Sequence, residues 1–349
     1  MDWLRDRSSH QRRSRDCSSC SAATLPSRPA PAGGIDPARL ARWRLPRTPL
    51  PARMVGSGVA RGRLALLRAP RSGSTSFGDP DGLPVIAFHG TPVCGAGFLF
   101  ADEAARLRGI RLLAPDRPGV GLSTPLAGWT VGSYGAQVGR VADACGVERF
   151  AVWGYSGGGP YAVACAAALP DRVTRVAVAA GMGEIGEWAS REDFEKTDRM
   201  MLKLSQTRPM LARTVMAISG RWARLSPKSA AKSFAKELSP SDQAVLAAYD
   251  PGEFMAMFTN AVLRGARGVV DDYRALGQSW GVDPGSISAP VKIFQGESDT
   301  MVPLRHAEEL ARRIPGSELS TWLGEGHLGT VTHVDEILEW LSQPLPSST

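Results

Sequence analysis

The chain has 349 residues, of which 43% are hydrophobic and 21% are charged, enough for one large domain with an insertion or for two domains. Its net charge of +7 invites a nucleic-acid-binding interpretation, but residues 1–53, with eleven Arg, no Lys and four Asp, carry that whole excess. The remainder has 30 basic and 30 acidic residues, so its charge is balanced and nucleic acid is not an expected partner.

Residues 1–53 are rich in Arg, Ser, Pro and Ala. They lack apolar periodicity, which predicts a disordered tail, and they lack the apolar core of a secretory signal. Cys17 and Cys20 have metal-ligand spacing but no second ligand pair, so we expect no metal site there. The remaining cysteines are scattered, and no run of about 18 apolar residues occurs. We therefore expect a cytoplasmic protein without a membrane span, folded from about Met54 onward.

Short apolar runs then alternate with helical stretches. The predicted strands are 63–67, 85–88, 110–114, 150–153 and 173–179, and the predicted helices are 101–108, 133–145 and 161–169. Residues 69–77 are too irregular to predict a strand, whereas 78–82 have strong turn chemistry. The alternation predicts an α/β fold with a mostly parallel central sheet flanked by helices. Ligands of such sheets bind beyond the carboxyl ends of the strands.

The connection between residues 181 and 290 is far too long for an ordinary crossover. It contains six predicted helices, at 192–205, 210–223, 229–237, 241–248, 253–264 and 269–276. We predict a helical cap at 183–288, inserted into a core made of 54–182 and 289–349. Seven of the ten methionines lie between 182 and 257, where they would pack the cap or line a pocket below it. The chain closes with strand 291–294, helix 304–314, strand 319–323 and helix 330–341.

The stretch 150–160 is the one around which the chain is organised. Gly154-Tyr155-Ser156-Gly157-Gly158 fits the G-x-S-x-G pattern and lies between a predicted strand and a predicted helix. A turn of this kind is so tight that neighbouring side chains would clash, which accounts for the glycines. A serine held there, at the positive end of a helix, is placed to attack an acyl group. Ser156 is therefore the candidate nucleophile.

Four further motifs accompany this turn. They are His89-Gly90-Thr91-Pro92, Asp116-Arg117-Pro118-Gly119, the stretch from Gly296 to Pro303, and Gly326-His327. Ser156, Asp299 and His327 stand in the order nucleophile, acid and base. Together these features resemble the α/β-hydrolase superfamily over about residues 58–343.

The resemblance implies a role for each position. His327 would be the general base, and Asp299 would orient its imidazole. The backbone N–H groups of Gly157 and Thr91 would form the oxyanion hole. Other residues would shape the loops around the site, and these are His89, Gly90, Gly154, Gly158 and Asp116.

Several alternatives stay open at this point. Glu297 lies beside Asp299 in the same loop, and some members of the superfamily place the acid after the sixth strand, where Glu184 stands. His306 and His333 fall on predicted helices and are expected to be surface or packing residues. The elbow carries Ser rather than Asp, which disfavours haloalkane dehalogenase and epoxide hydrolase chemistry. The His-Gly-Thr-Pro loop differs from the His-Gly-Gly-Pro-Gly of proline iminopeptidases, which makes peptidase action less favoured.

These features predict a serine hydrolase that cleaves a carboxylic ester of a small or medium, largely apolar substrate through an acyl-enzyme. An acyltransferase or a cofactor-free haloperoxidase-like enzyme would use the same three residues. A ligand-binding protein on a hydrolase scaffold is the non-enzymatic alternative. We expect no cofactor and no metal, and a small-molecule ester as the partner. The sequence carries no signal for an oligomeric state.

Overall fold

A computed structural model describes residues 74–344, so the predicted tail 1–53 and the predicted strand 63–67 lie outside the described residues. Seven strands form one sheet in the order β1-β3-β2-β4-β5-β6-β7. Their bounds are β1 (Ser74–Gly78), β2 (Leu83–Phe88), β3 (Ile110–Pro115), β4 (Phe150–Tyr155), β5 (Val173–Ala179), β6 (Val291–Gly296) and β7 (Glu318–Trp322). Only β1 is antiparallel to its neighbour, and all other pairs are parallel. The predicted mostly parallel sheet is therefore confirmed.

Helices cover both faces of this sheet and fill the long connection between β5 and β6. Their bounds are α1 (Asp102–Leu107), α2 (Val131–Ala144), α3 (Gly159–Ala168), α4 (Lys196–Thr207), α5 (Pro209–Leu225), α6 (Pro227–Phe234), α7 (Pro240–Ala247), α8 (Pro251–Ala261), α9 (Arg267–Leu276), α10 (Arg305–Arg313), α11 (Gly329–Thr332) and α12 (Val334–Ser342). The single helix predicted at 330–341 is thus two helices that meet at His333. No helix of the described part is long and apolar enough to cross a membrane.

The strand β1 corrects the expectation that residues 69–77 are too irregular for a strand. Among residues 74–344, β1 pairs with β3 alone. Of its five residues only Phe77 is buried, so the apolar run that marks a central strand is missing from its sequence. Its end is held by the Gly78 N–H, which donates to the Asp102 carboxylate at 2.6 Å. Gly78 has φ +75°, a conformation that favours glycine.

The sheet separates two apolar clusters, because successive side chains of a strand point to opposite faces. In β2, Ile86 and Phe88 belong to one cluster, whereas Val85 and Ala87 belong to the other. Helix α3 is buried over residues 159–166 because it packs between the sheet and α2. A Cβ at Gly135 of α2 would lie 2.8 Å from the Ala164 side chain, so small residues allow the two helices to approach closely.

All six predicted helices of the insertion are present as α4 to α9, with boundaries shifted by a few residues. Four of these helices begin with a proline, at 209, 227, 240 and 251. Proline fits the first turn because its missing N–H would be unpaired there in any case. The sequence prediction began after these prolines and therefore started each helix too late. The division into a core (54–182 and 289–349) and a cap (183–288) stays a proposal.

Candidate active site

Ser156 lies between β4 and α3 in a left-handed conformation, with φ +55°. This strain is permitted because the neighbouring glycines leave room. A Cβ at Gly154 would lie 2.7 Å from the Gly158 carbonyl oxygen, and a Cβ at Gly158 would overlap the Phe88 carbonyl oxygen. The strand, turn and helix expected around Ser156 are therefore all present. The hydroxyl stands at the carboxyl edge of the sheet and faces a cavity.

His327 and Asp299 are brought together at the same edge. His327 Nδ1 lies 2.9 Å from Asp299 Oδ2, and both side chains are buried. The other carboxylate oxygen accepts 2.9 Å hydrogen bonds from the backbone N–H groups of Met301 and Val302. Gln295 donates to Oδ2 at 2.9 Å. The carboxylate is thus fixed in position, and it aligns the imidazole so that Nε2 stays available to a second partner.

Ser156 and His327 line the same cavity. Within residues 74–344, the Ser156 hydroxyl makes no hydrogen bond to the imidazole, whose Nδ1 faces Asp299. The Tyr155 ring stacks on the imidazole, with centroids 5.3 Å apart, and its hydroxyl donates to the His327 carbonyl oxygen at 3.3 Å. Tyr155 therefore holds both the ring and the backbone of His327.

Burial lowers the pKa of His327, but negative charges around it more than compensate. The charge and hydrogen bond of Asp299 raise this pKa, as do the charges of Asp242 and Asp198. The net direction is a pKa above the ordinary 6.5. His327 is therefore a stronger proton acceptor than a free imidazole, because nearby carboxylates stabilise its protonated form.

Gly157 and Thr91 lie next to each other beside Ser156. A Cβ at Gly157 would lie 2.7 Å from Thr91 Oγ1, and one at Gly90 would lie 3.2 Å from the Ser156 Cβ. The Thr91 N–H makes no hydrogen bond to the rest of the described chain. Gly157 lies in the first turn before α3, where N–H groups point out of the helix end. Two backbone donors can therefore face one point beside the Ser156 hydroxyl.

A buried ion pair that could not be recognised in the sequence holds the Thr91 loop. Arg117 donates from Nε to Asp272 Oδ1 at 2.8 Å and from Nη2 to Oδ2 at 2.7 Å, and both side chains are fully buried. The Thr91 hydroxyl donates to Asp272 at 2.7 Å, and Arg117 also donates to the carbonyl oxygens of His89 and Gly90. Asp272 belongs to α9, so the insertion anchors the loop that the sequence assigns to the oxyanion hole.

A second missed residue, Asp242 of α7, holds the loop of His327. Its carboxylate is fully buried and accepts from the backbone N–H of His327 at 2.9 Å and of Leu328 at 2.6 Å. A Cβ at Gly326 would overlap this carboxylate, so only glycine fits before the histidine. In the sequence, Asp242 appears in the pattern Ser239-x-x-Asp242, which is typical of an ordinary helix start. That pattern does not indicate a contact with the His327 loop.

The other predicted residues support the surrounding loops. Asp116 accepts from the backbone N–H of Gly95 at 2.8 Å and of Leu122 at 3.1 Å, and its burial raises its pKa. His89 is buried, with Nδ1 2.8 Å from the Gly90 carbonyl oxygen. Burial, and then the charge of Arg117, lower the pKa of His89 well below 6.5, so its ring is neutral at pH 7.

The two alternative acids and the two other histidines contact residues other than Ser156 and His327. Glu184 accepts from the Ser279 hydroxyl and from the Trp280 N–H, both at 2.7 Å, and Glu297 accepts from Thr321 at 3.0 Å. His306 is a buried packing residue whose Nε2 lies 2.9 Å from Asp193. His333 stacks on Trp322, with centroids 4.6 Å apart.

The cavity above Ser156 has a volume of about 430 Å³ and a mostly apolar wall. The loop after β2 and the inserted helices form that wall, and its apolar side chains include Val93, Leu99, Phe100, Met201, Val215, Met216, Phe234, Val245, Phe254, Met257 and Phe258. Five of the seven methionines between 182 and 257 line this space: Met200, Met201, Met216, Met255 and Met257. The cavity therefore suits an apolar group of moderate size.

Three acidic residues, Asp198, Glu237 and Glu253, interrupt this apolar wall, and Asp198 is one of those whose charge acts on His327. Asp198 accepts from the Tyr273 hydroxyl at 2.5 Å and lines the cavity together with His327. Burial raises the pKa of Asp198 to about 6, the charge of Glu237 adds to this, and the Tyr273 hydrogen bond and the charge of His327 oppose it. No group of three or more His, Cys, Asp or Glu within 74–344 is arranged to hold a metal ion.

Comparisons with known proteins agree with this architecture. A family model described as "alpha/beta hydrolase fold" matches residues 84–334. A Cronobacter turicensis protein provisionally named carbamate hydrolase RutD is 23% identical over 239 residues, which are 68% of this chain and 81% of that protein. The structure of an esterase from Exiguobacterium antarcticum matches with TM-score 0.56 at 17% identity, over 78% of this chain and 94% of that one. A bromoperoxidase from Bacillus anthracis matches with TM-score 0.59 at 18% identity, over the same shares.

Proposed function

Because this chain belongs to the α/β-hydrolase fold family, we propose that it is a serine hydrolase that cleaves a carboxylic ester of a small or medium, largely apolar substrate. One observation carries the proposal. Ser156 in its strained turn and His327 line the same apolar cavity, and the buried Asp299 holds His327 Nδ1 from behind at 2.9 Å. A nucleophile, a base and an acid that orients the base are the groups that acyl transfer requires.

Each residue has a distinct part in the proposed reaction. The Ser156 hydroxyl oxygen attacks the ester carbonyl carbon, and His327 Nε2 takes its proton. The N–H groups of Gly157 and Thr91 donate to the oxygen that becomes negative. His327 then gives the proton to the departing alkoxide, which leaves as an alcohol. Water, deprotonated by the same imidazole, attacks the acyl-enzyme and releases the carboxylic acid.

Labelling with a fluorophosphonate that carries a fluorophore tests the nucleophile directly. We expect one covalent adduct, which mass spectrometry of the digested protein places on the peptide containing Ser156. A ligand-binding protein on the same scaffold gives no adduct, and that result would contradict the proposal. Turnover of the ester in the presence of an alcohol, or of peroxide with a halide, then separates hydrolysis from acyl transfer and from haloperoxidase-like chemistry.

Chain length of the acyl group should control the rate if the cavity holds that group. Each buried methylene contributes up to about 0.8 kcal/mol, so kcat/KM is expected to rise by up to about fourfold per carbon. The measurement is kcat/KM for p-nitrophenyl esters from acetate upward, with a maximum at a medium chain. A flat or steadily falling series would contradict an apolar acyl pocket and leave the nucleophile untouched.

Two substitutions on α5 provide a matched test of the cavity wall. Ser219 lines the cavity, whereas Thr214 lies on the outward side of the same helix. Ser219→Leu should shorten the preferred acyl chain because it takes up cavity volume. Thr214→Leu adds the same kind of side chain outside the cavity, so its chain-length profile should match that of the unmodified protein.

The pH profile should report the raised pKa of His327. Since the neutral imidazole is the base, kcat/KM is expected to increase as pH rises through a midpoint above 6.5. Asp198→Asn removes a negative charge that stabilises the imidazolium, so the pKa falls and the midpoint moves to lower pH. Asp171→Asn, an exposed change, serves as control. An unchanged or upward midpoint in Asp198→Asn would show that this carboxylate does not act on His327.

A further inference from the structure

Helix α5 has two faces of different character. Its inner face contains Ala212, Met216, Gly220 and Ala223, which are buried, and part of it lines the cavity. Its outer face carries five large apolar side chains, which we call the outer stripe: Met210, Leu211, Ile218, Trp222 and Leu225. They are exposed by 69%, 44%, 64%, 42% and 67%, respectively. At 3.6 residues per turn these positions share about one third of the helix circumference.

Such a stripe is unusual on a surface helix, whose outer face normally carries polar and charged side chains. Single exposed apolar residues are common, but here five lie on one face of 17 residues. Leu263, which follows α8, is also exposed, by 53%. The outer stripe therefore indicates a surface that contacts another molecule in the functional state of the protein.

Basic residues border the stripe, and we call them the basic flank: Arg213, Arg221, Arg224, Lys228, Lys232 and Lys236. Residues 209–236 contain these six and no Asp or Glu. Arg213 lies 4.0 Å from the buried Asp271 of α9, which Arg267 and Arg274 also contact. Among the described residues, the other five make no ion pair. Their charge is thus available to a partner outside the chain.

We propose that the outer stripe and the basic flank dock this protein on the surface of an anionic lipid bilayer. A helix with exposed Trp, Leu and Ile on one side and Arg and Lys beside them can lie in the interface plane. Its apolar side chains enter the boundary between headgroups and acyl chains, while the cations meet the lipid phosphates. The docking is peripheral: α5 is already part of the folded insertion and places only one face in the lipid.

Charge argues against a second copy of the chain as the occupant of this surface. A twofold dimer places the same patch of both subunits face to face. The five unpaired cations of one basic flank would then approach five of the other, and like charges at an interface disfavour association. An anionic surface presents the opposite sign to all five at once.

The outer stripe also reaches the entrance of the cavity. Trp222 and Met200 are 42% and 43% exposed, yet both line the cavity above Ser156. A bilayer against α5 would therefore touch the rim of the site and could deliver apolar molecules that partition into lipid. Docking itself rests on the surface of α5 and does not depend on the proposed ester hydrolysis.

Cosedimentation of the full chain with vesicles tests this proposal. One set of vesicles is phosphatidylcholine alone, and the other is an equal mixture with phosphatidylglycerol. We expect stronger binding to the mixture, and about tenfold or greater weakening by Ile218→Gln/Leu225→Gln or by Arg221→Gln/Arg224→Gln. Matched controls are Leu107→Gln/Leu323→Gln, at positions 69% and 88% exposed, and Arg140→Gln/Arg149→Gln, at exposed arginines elsewhere. Both controls should bind as the unmodified protein does.

Residues 1–53 are present in every variant, so their eleven arginines contribute equally and cancel in the comparison. Equal binding by all variants would overturn the proposal, because the tail alone would then account for adsorption. Light scattering without lipid gives the second decisive result. If the unmodified protein is a dimer that Ile218→Gln/Leu225→Gln converts to a monomer, the outer stripe is a subunit interface and the bilayer proposal is wrong.

Discussion

Replacing Ser156 with alanine is expected to lower kcat for a p-nitrophenyl ester by about five to six orders of magnitude and to abolish fluorophosphonate labelling. The hydroxyl is the only group in the proposal that forms a bond to the acyl carbon, so no neighbouring side chain can replace it. Folding should be unaffected, since alanine removes one oxygen and no hydrogen bond within the described structure. The measurement is single-turnover and steady-state kinetics, together with gel fluorescence of the labelled protein.

Ser219→Ala is the matched control, because Ser219 lines the same cavity from α5 and has no part in the proposed chemistry. It should retain labelling and most of the rate. The pair Ser156→Ala and His327→Ala gives a further test. If the two residues act as a unit, the double variant should be little slower than either single variant. Losses that add on a logarithmic scale would mean that the histidine does not activate this serine.

The local motifs could be predicted because each depends on neighbouring residues. The turn around Ser156 needs a strand, glycines and a helix within eleven residues, all visible in the sequence. The strand β1 could not be predicted in this way, since its polar sequence forms a strand only when β3 offers a hydrogen-bonded edge. The helix starts of the insertion were misplaced for a local reason, the proline at the first position.

The supports of the site could not be predicted because they join distant parts of the chain. Arg117 and Asp272 are 155 residues apart, and Asp242 and His327 are 85 apart. In the sequence, Arg117 appeared only within a loop motif, and the two aspartates were ordinary residues of helices. Their function arises from burial, which turns a solvated charge into one that must find partners. In both cases, a helix of the connection between β5 and β6 supplies the carboxylate that holds a loop beside Ser156 or His327.

The ion pair of Arg117 and Asp272 should therefore affect both stability and rate. Arg117→Gln leaves the Asp272 carboxylate buried with only the hydroxyls of Tyr161 and Thr91 as donors. Removing one partner of a buried pair costs about 3–5 kcal/mol in the free energy of unfolding. Urea unfolding followed by circular dichroism measures this loss. Glu103→Gln on the exposed pair with Arg106 is the control and should leave the free energy of unfolding nearly unchanged, because solvent screens an exposed ion pair.

Asp272→Asn tests whether the Asp272 carboxylate affects kcat through the position of Thr91, beyond its effect on stability. The amide keeps the shape of the carboxylate but leaves the Arg117 charge buried against the carbonyl oxygens of His89 and Gly90. The amide has one acceptor oxygen where the carboxylate has two, so it cannot keep all the hydrogen bonds from Arg117, Tyr161 and Thr91. The Thr91 loop should therefore be held less firmly beside Gly157, and kcat should fall more than KM rises. The double variant Arg117→Met/Asp272→Leu restores an uncharged interior, so it should be more stable than the sum of the single losses allows. Strict additivity would mean that the two side chains do not stabilise each other, and an unchanged kcat in Asp272→Asn would mean that they do not position Thr91.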